Sequence, residues 1–232
     1  MSNITVFSGL SKVNRHKKGF AECEEIGKII AAKGYTMICA GASLGCQNNL
    51  IQGALANDGK VIAVTVPMFK NELQDELKDE AIIASGADLS ERKSIMKSMA
   101  DYGYIILPGG PGTLDELWEI ISEKAENING GKEKKIIIVN TEGFYNPVRE
   151  QLEMMNTIFE WTYNEGIIFI NEAKDLDAHL PQSGKTDVVV KSSADEGKTA
   201  GPKGGEKHGR RHMRKTKKDK TSKRKTSKRK TK

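Results

Sequence analysis

The stretch YIILPGGPGTLDELWEI, residues 104–120, joins a short apolar run to an acidic, amphipathic one through Pro-Gly-Gly-Pro-Gly. Residues 104–107 read as a strand buried on both faces. After the turn, Leu114, Leu117, Trp118 and Ile121 recur at helical spacing, with Thr113 as the residue that opens the helix. Gly109, Gly110 and Gly112 allow backbone approaches that a Cβ would block. A strand, a glycine turn and a helix N-terminus together present free N–H groups and a positive dipole end, which suits an anion and most naturally a phosphate. The other reading is a tightly packed turn without a ligand. The turn lacks the Gly-Lys-Ser/Thr that ends a Walker A loop, and Asp115 stands where GxGxxG needs its third glycine. Nucleoside-triphosphate hydrolysis and dinucleotide-dependent hydride transfer both lose weight.

Working outward, similar apolar β-branched runs occur at 4–8, 35–40, 61–66, 135–139 and 167–170, with AIIA at 81–84 as a weaker seventh. Helical patterns lie between them, near 17–33, 45–57, 88–101, 113–127, 145–164 and 172–180. This alternation predicts an α/β protein: an open parallel sheet of six or seven strands with helices on both faces. Ligands then sit beyond the carboxyl ends of the strands, at SGLS (8–11), AGASLG (40–45), PMFK (67–70) and PGGPGT (108–113).

Two charged residues stand out near this edge. Thr113-Leu114-Asp115-Glu116 fits a capping box, in which the glutamate reaches back to the N-cap N–H. A carboxylate one turn from a phosphate loop equally suits a bound ribose, and both readings of Glu116 stand. In DLSERKSIMKSMA (88–100), Leu89, Met96 and Met99 share a stripe with Arg92, while Lys93 and Lys97 fall off it and read as solvated. An inward arginine has either an anionic partner or a route to the rim.

The overall charge of +6 conceals a division. Residues 185–232 carry 19 Lys and Arg against 5 Asp and Glu, net +14; residues 1–184 carry 18 against 26, net −8. The expected organisation is a globular domain over 1–182 and a disordered lysine/arginine-rich tail over 183–232, too poor in apolar residues to form a core. RRHMRKTKKDKTSKRKTSKRKTK (210–232) is a candidate for nuclear targeting or for non-specific nucleic-acid contact through phosphates. No aromatic residue follows Phe169, which argues against base stacking by the tail. No membrane span and no signal peptide are expected, so the reading is cytoplasmic or nuclear, not secreted. Cys23, Cys39 and Cys46 read as buried thiols in a reducing compartment rather than disulfides. No histidine or cysteine spacing suggests a metal site. A pyridoxal-phosphate lysine site is not recognisable either, which sets aside amino-acid decarboxylation.

Together, ERK at 91–93 and PGGPGTLDE at 108–116 resemble the paired RK and PGGxGTxxE motifs of the Lonely Guy (LOG) family of cytokinin riboside 5′-monophosphate phosphoribohydrolases. The resemblance runs from residue 4 to about 170. It implies a Rossmann-like fold, a homodimer or larger homo-oligomer, and hydrolysis of the N-glycosidic bond of a nucleoside 5′-monophosphate without a cofactor. By this resemblance Arg92 and Glu116 are the catalytic pair. Gly109, Gly110, Gly112, Thr113, Lys93, Ser8, Gly9, Ser43 and Gly45 bind phosphate and substrate. Two loops depart from the pattern. AGASLGCQN (40–48) stands for GGGSxGLMG, and SGLS (8–11) for Cys-Gly-Ser-Ser, so the base is less constrained than the reaction. A nucleotide binder without catalysis on the same fold is the alternative.

Overall fold

The computed structural model describes residues 2–9, 11, 15, 18–84, 89–160 and 165–184. The chain clusters into two units, Met1–Val188 and Val189–Lys232, and every described residue lies in the first. The tail from 185 onward, Trp161 and the end of the helix expected over 145–164 lie outside the described residues.

Among the described residues, seven parallel strands form one sheet: β1 (Asn3–Phe7), β2 (Thr36–Cys39), β3 (Lys60–Thr65), β4 (Ile82–Ile83), β5 (Gly103–Ile106), β6 (Lys135–Val139) and β7 (Ile167–Ile170). The weak AIIA run is a real edge strand, though only two residues long. The helices are α1 (Gly19–Ala32), α2 (Gly45–Leu55), α3 (Leu89–Ser98), α4 (Pro111–Ala125), α5 (Asn146–Phe159) and α6 (Leu176–His179). The helix expected over 172–180 is in fact a 3₁₀ turn, Ala173–Asp175, followed by the short α6.

Strand order is β4-β3-β2-β1-β5-β6-β7, so the chain steps outward from β1 on one side and then resumes at β5 on the other. Val6 pairs with Ile105 and Phe7 with Ile106, and these two strands end side by side. Their carboxyl ends form the switch point where an open sheet has its crevice.

Period-two alternation sends neighbouring strand residues to opposite faces. Ile4, Val6, Met37, Cys39, Ile105 and Ile137 pack under α1, α2 and α6. Phe7, Ile38, Tyr104, Ile106, Ile136 and Ile138 pack against α3, α4 and α5. Both faces are covered, which is why the strands read as continuous apolar runs.

On the first face α1 and α2 touch backbone to backbone. A Cβ on Gly27 would lie 2.1 Å from the Leu50 carbonyl oxygen, and one on Gly53 would lie 2.1 Å from that of Glu24. This close crossing corrects the reading of the cysteines. Cys23 and Cys46 are joined by a disulfide between α1 and α2, with Cα atoms 5.5 Å apart. Their 23-residue separation concealed a contact that only the helix crossing creates. Cys39 is a buried free thiol as expected, and burial pushes its pKa up to about 12. No helix among the described residues is long and apolar enough to cross a membrane.

Candidate active site

The site forms where β1 and β5 end. The Gly9 N–H donates to the Pro108 carbonyl at 3.3 Å, drawing the first loop against the fifth. Gly109 has to be glycine for this packing, because its Cβ would meet Thr113 Oγ1 at 2.2 Å and the Gly9 nitrogen at 3.0 Å. Gly110 and Gly112 differ from it: a Cβ on either would meet no atom within 4 Å. They border open space, the room that a ligand at this helix end needs.

Helix α4 starts two residues earlier than the sequence suggested. Pro111 takes the first helical position, which needs no N–H, and Gly110 is the N-cap. No side chain caps the helix, so its first-turn N–H groups face the open side. The capping box is therefore not formed. Thr113 is the third helical residue and buried, and Glu116 lies too far along the helix to reach the N-cap.

Glu116 instead faces α3. Its Oε1 lies 3.5 Å from Arg92 Nη2, and the two side chains are only 10% and 11% exposed. At that distance the pair is held by charge more than by a short hydrogen bond. Burial pushes Glu116 up to about 7, and this outweighs the opposing pull of Arg92 and then Lys93. Burial likewise lowers Arg92 from its ordinary value, with Glu116 opposing. The guanidinium remains charged, since even a lowered arginine lies far above neutrality. Among the described residues, Arg92 Nε and the Oγ of buried Ser8 have no hydrogen-bond partner. Unmatched buried polar atoms are costly, and here they lie on the elements that bound the open space.

The lysines of α3 correct the sequence reading. Lys93 and Lys97 are not solvated. Lys93 Nζ lies 2.7 Å from Asp115 and 2.9 Å from Glu119, while Lys97 Nζ lies 2.6 Å from Glu119 and 2.5 Å from Glu123. Asp115 and Glu119 therefore point at α3 rather than away from it. Leu89, expected on the buried stripe, is 41% exposed, whereas Met96 is buried. The helix wheel of α3 alone could not show that its charged side is covered by a second helix.

Of the other expected site residues, Ser43 follows β2, the neighbour of β1. Its N–H donates to Glu72 O at 2.8 Å and its side chain is exposed. Gly45 opens α2 with a positive φ of 62°. In the same loop the Oε1 of buried Gln47 accepts the Ala42 N–H at 3.1 Å, so this departure from the family pattern braces the loop from within.

Tyr145 was missed altogether. It is fully buried, and its hydroxyl donates to Leu107 O at 2.8 Å, directly beneath the glycine turn. Asn140 Oδ1 accepts the Tyr145 N–H at 2.6 Å and fixes it there. The only signal was an aromatic residue just before the Asn-Pro that starts α5.

An uncapped glycine turn at the switch point of a parallel sheet, with a buried Arg–Glu pair beside it, defines an α/β protein with a candidate ligand crevice at the carboxyl ends of β1 and β5. A sequence model for a family described as "possible lysine decarboxylase" matches residues 48–180, more than half of the chain, and the chain belongs to this family, the LOG family. A cytokinin riboside 5′-monophosphate phosphoribohydrolase of Mycobacterium tuberculosis is 30% identical over 154 residues, 65% of this chain and 79% of that protein. LOG1 of Arabidopsis thaliana, with the same activity in its name, is 32% identical over 62% of this chain and 64% of its own length. LOGL2 of rice, Oryza sativa subsp. japonica, whose name gives the same activity as probable, is 30% identical over 148 residues, and the match spans only 57% of its length. Solved structures show the same fold. The molybdenum cofactor binding protein of Rippkaea orientalis matches with a TM-score of 0.55 at 17% identity, covering 77% of this chain and 95% of its own. The molybdenum cofactor carrier protein of Chlamydomonas reinhardtii matches at 0.53 and 20%, covering 77% and 96%.

Proposed function

We propose that the chain hydrolyses the N-glycosidic bond of a nucleoside 5′-monophosphate, a cytokinin riboside monophosphate or an AMP-like nucleotide, to free base and ribose 5-phosphate. The buried Arg92–Glu116 pair beside an uncapped glycine turn carries this reading. The names of the relatives support it. The phosphate rests on the N–H groups of Gly112 and Thr113 and on Ser8 Oγ. Cleavage of the C1′–N bond puts positive charge on the ribose, and the Glu116 carboxylate stabilises that charge while water adds at C1′. The departing base takes up the proton that the attacking water releases. Arg92, with Nε unused, orients the nucleotide and favours the ionised form of Glu116.

The reaction needs Glu116 ionised, so kcat/KM should fall about tenfold per pH unit below about 7. A folded-state pKa raised from 4.5 to about 7 contributes stability below pH 4.5 that is lost as pH rises through 7. The working form of the site is thus the less stable one. A pH profile of base release with its acid limb near pH 4.5 would sink the assignment.

A nucleotide binder without turnover is the second reading. It draws on the solved structures, whose names speak of binding and carrying a cofactor. Retention of both Arg92 and Glu116 favours the enzyme.

For the tail we propose non-specific contact with nucleic-acid phosphates by residues 210–232, which hold 14 Lys and Arg against one Asp. The net −8 of residues 1–184 repels polyanions, so the tail has to supply the attraction. Full-length protein should be retained on duplex DNA at low salt and released steeply as salt rises. Unchanged retention after deletion beyond Gly184 would remove this idea.

A further inference from the structure

The facing sides of α3 and α4 carry more charge than the proposed catalytic pair requires. Arg92, Lys93 and Lys97 line α3, and Asp115, Glu116, Glu119 and Glu123 line α4. They interlock as a ladder: Arg92 with Glu116, Lys93 with Asp115 and Glu119, Lys97 with Glu119 and Glu123. Glu119 is the shared rung, since its Oε1 accepts from Lys97 at 2.6 Å and its Oε2 lies 2.9 Å from Lys93 as an ion pair without hydrogen-bond geometry. At the far end α3 is pinned to the sheet, where Thr5 Oγ1 donates to Met96 O at 2.9 Å and Lys134 Nζ to Lys97 O at 3.1 Å. The lower rungs are short, and the top one, at 3.5 Å, is the loosest.

Resting on the reading of Glu116 as the working carboxylate, we propose that Lys93 and Glu119 are opposed positioning residues that set the charge state of Glu116, Lys93 favouring the carboxylate and Glu119 opposing it by engaging Lys93 and by its own like charge. The adjoining sequence positions of Lys93 and Arg92 lead to different partners. Arg92 reaches into the site, and Lys93 is held outside it between two carboxylates. The charges that act on Glu116 are Arg92 and Lys93 from α3 and Asp115 and Glu119 from its own helix, while the Tyr145 phenol ahead of α5 is itself kept protonated by burial and by Glu116. Lys97 shares Glu119 but is not among them. Removing the Glu119 charge leaves Lys93 with one anion instead of two, and its field then favours the Glu116 carboxylate. Removing the Lys93 charge leaves Asp115 and Glu119 unbalanced beside Glu116 and has the opposite effect.

The test is a carbon-13 NMR titration of the Glu116 carboxyl in the full chain, assigned by its loss in Glu116→Gln, with the pH profile of base release read in parallel. Glu119→Gln should lower the Glu116 midpoint and Lys93→Met should raise it, each by about half a unit to one unit. Lys93→Arg should restore the parental midpoint. Lys97→Met should leave it in place while lowering the melting temperature, because its role is to hold the helices together. A purely structural ladder would give melting shifts with no displacement of the midpoint. Unmoved midpoints in Glu119→Gln and Lys93→Met, or shifts in one direction for both, overturn the proposal. The titration needs no turnover. Shifted midpoints without base release would uphold the positioning role and reject the enzyme reading instead.

Discussion

Glu116→Gln should lower base release by about 10²–10³-fold while nucleotide affinity stays within about threefold of the parent. Glutamine keeps the shape of the side chain and removes the charge that the proposed mechanism sets against the ribose. The proposed phosphate seat at the α4 N-terminus and Ser8 is unaffected by the exchange. The same substitution should not destabilise the protein at pH 8, and the melting temperature should hold or rise. A buried carboxylate whose pKa stands at about 7 costs folding free energy when ionised, and the amide removes that cost. Arg92→Ala should behave differently. It takes away the counter-charge of Glu116 and the only buried guanidinium on this side of α3 among the described residues, so both turnover and nucleotide affinity should fall. Kinetics with the parent and both variants, beside calorimetric nucleotide titrations, separate these outcomes. A Glu116→Gln protein as active as the parent would end the assignment.

The second large effect concerns the fold that carries the site. Gly53→Val should cost about 3 kcal/mol or more, read from the urea midpoint. The Cβ position of Gly53 is 2.1 Å from the Glu24 carbonyl oxygen, which is backbone and cannot swing aside. Relief requires α1 and α2 to separate, and the Cys23–Cys46 disulfide across the same pair of helices opposes this. Gly110→Ala is the matching control. Its backbone φ is −86° and its Cβ would meet no atom within 4 Å, so stability should change by less than about 1 kcal/mol. Nucleotide binding should weaken instead, since the methyl group enters the open space over the proposed phosphate seat. If Gly53→Val proves as stable as Gly110→Ala, the close helix crossing is not what the packing describes.

The sheet was legible because strands covered on both faces have no polar side to hide, and their β-branched runs stand out. Even β4 left a trace in AIIA, though an edge strand of two residues has too little pattern to be bounded. The arginine was legible too, because a charge on an apolar stripe demands a partner, and the partner was Glu116. Local pattern misleads where another signal in the same segment, or a second element, decides. Thr113 looked like a helix cap because Thr-x-x-Glu is a local signature, yet Pro111 and Gly110 start the helix two residues earlier. Lys93 and Lys97 looked solvated on the wheel of α3, but α4 supplies their carboxylates from 22 to 26 residues away. The disulfide needed the α1–α2 crossing, and the support under Leu107 needed the loop after β6. The disulfide has no signature in its own segments, and Tyr145 has only the faint one of an aromatic residue before Asn-Pro.

The central claim is tested most directly by incubating the purified full-length protein with AMP, isopentenyladenosine monophosphate and the other common nucleoside monophosphates, and following free base and ribose 5-phosphate by chromatography. The expected result is equimolar release of both products from at least one nucleotide, with the preferred base naming the substrate class. A folded protein that binds a nucleotide yet releases no base from any of them would contradict the account and leave a binder on an enzyme's scaffold.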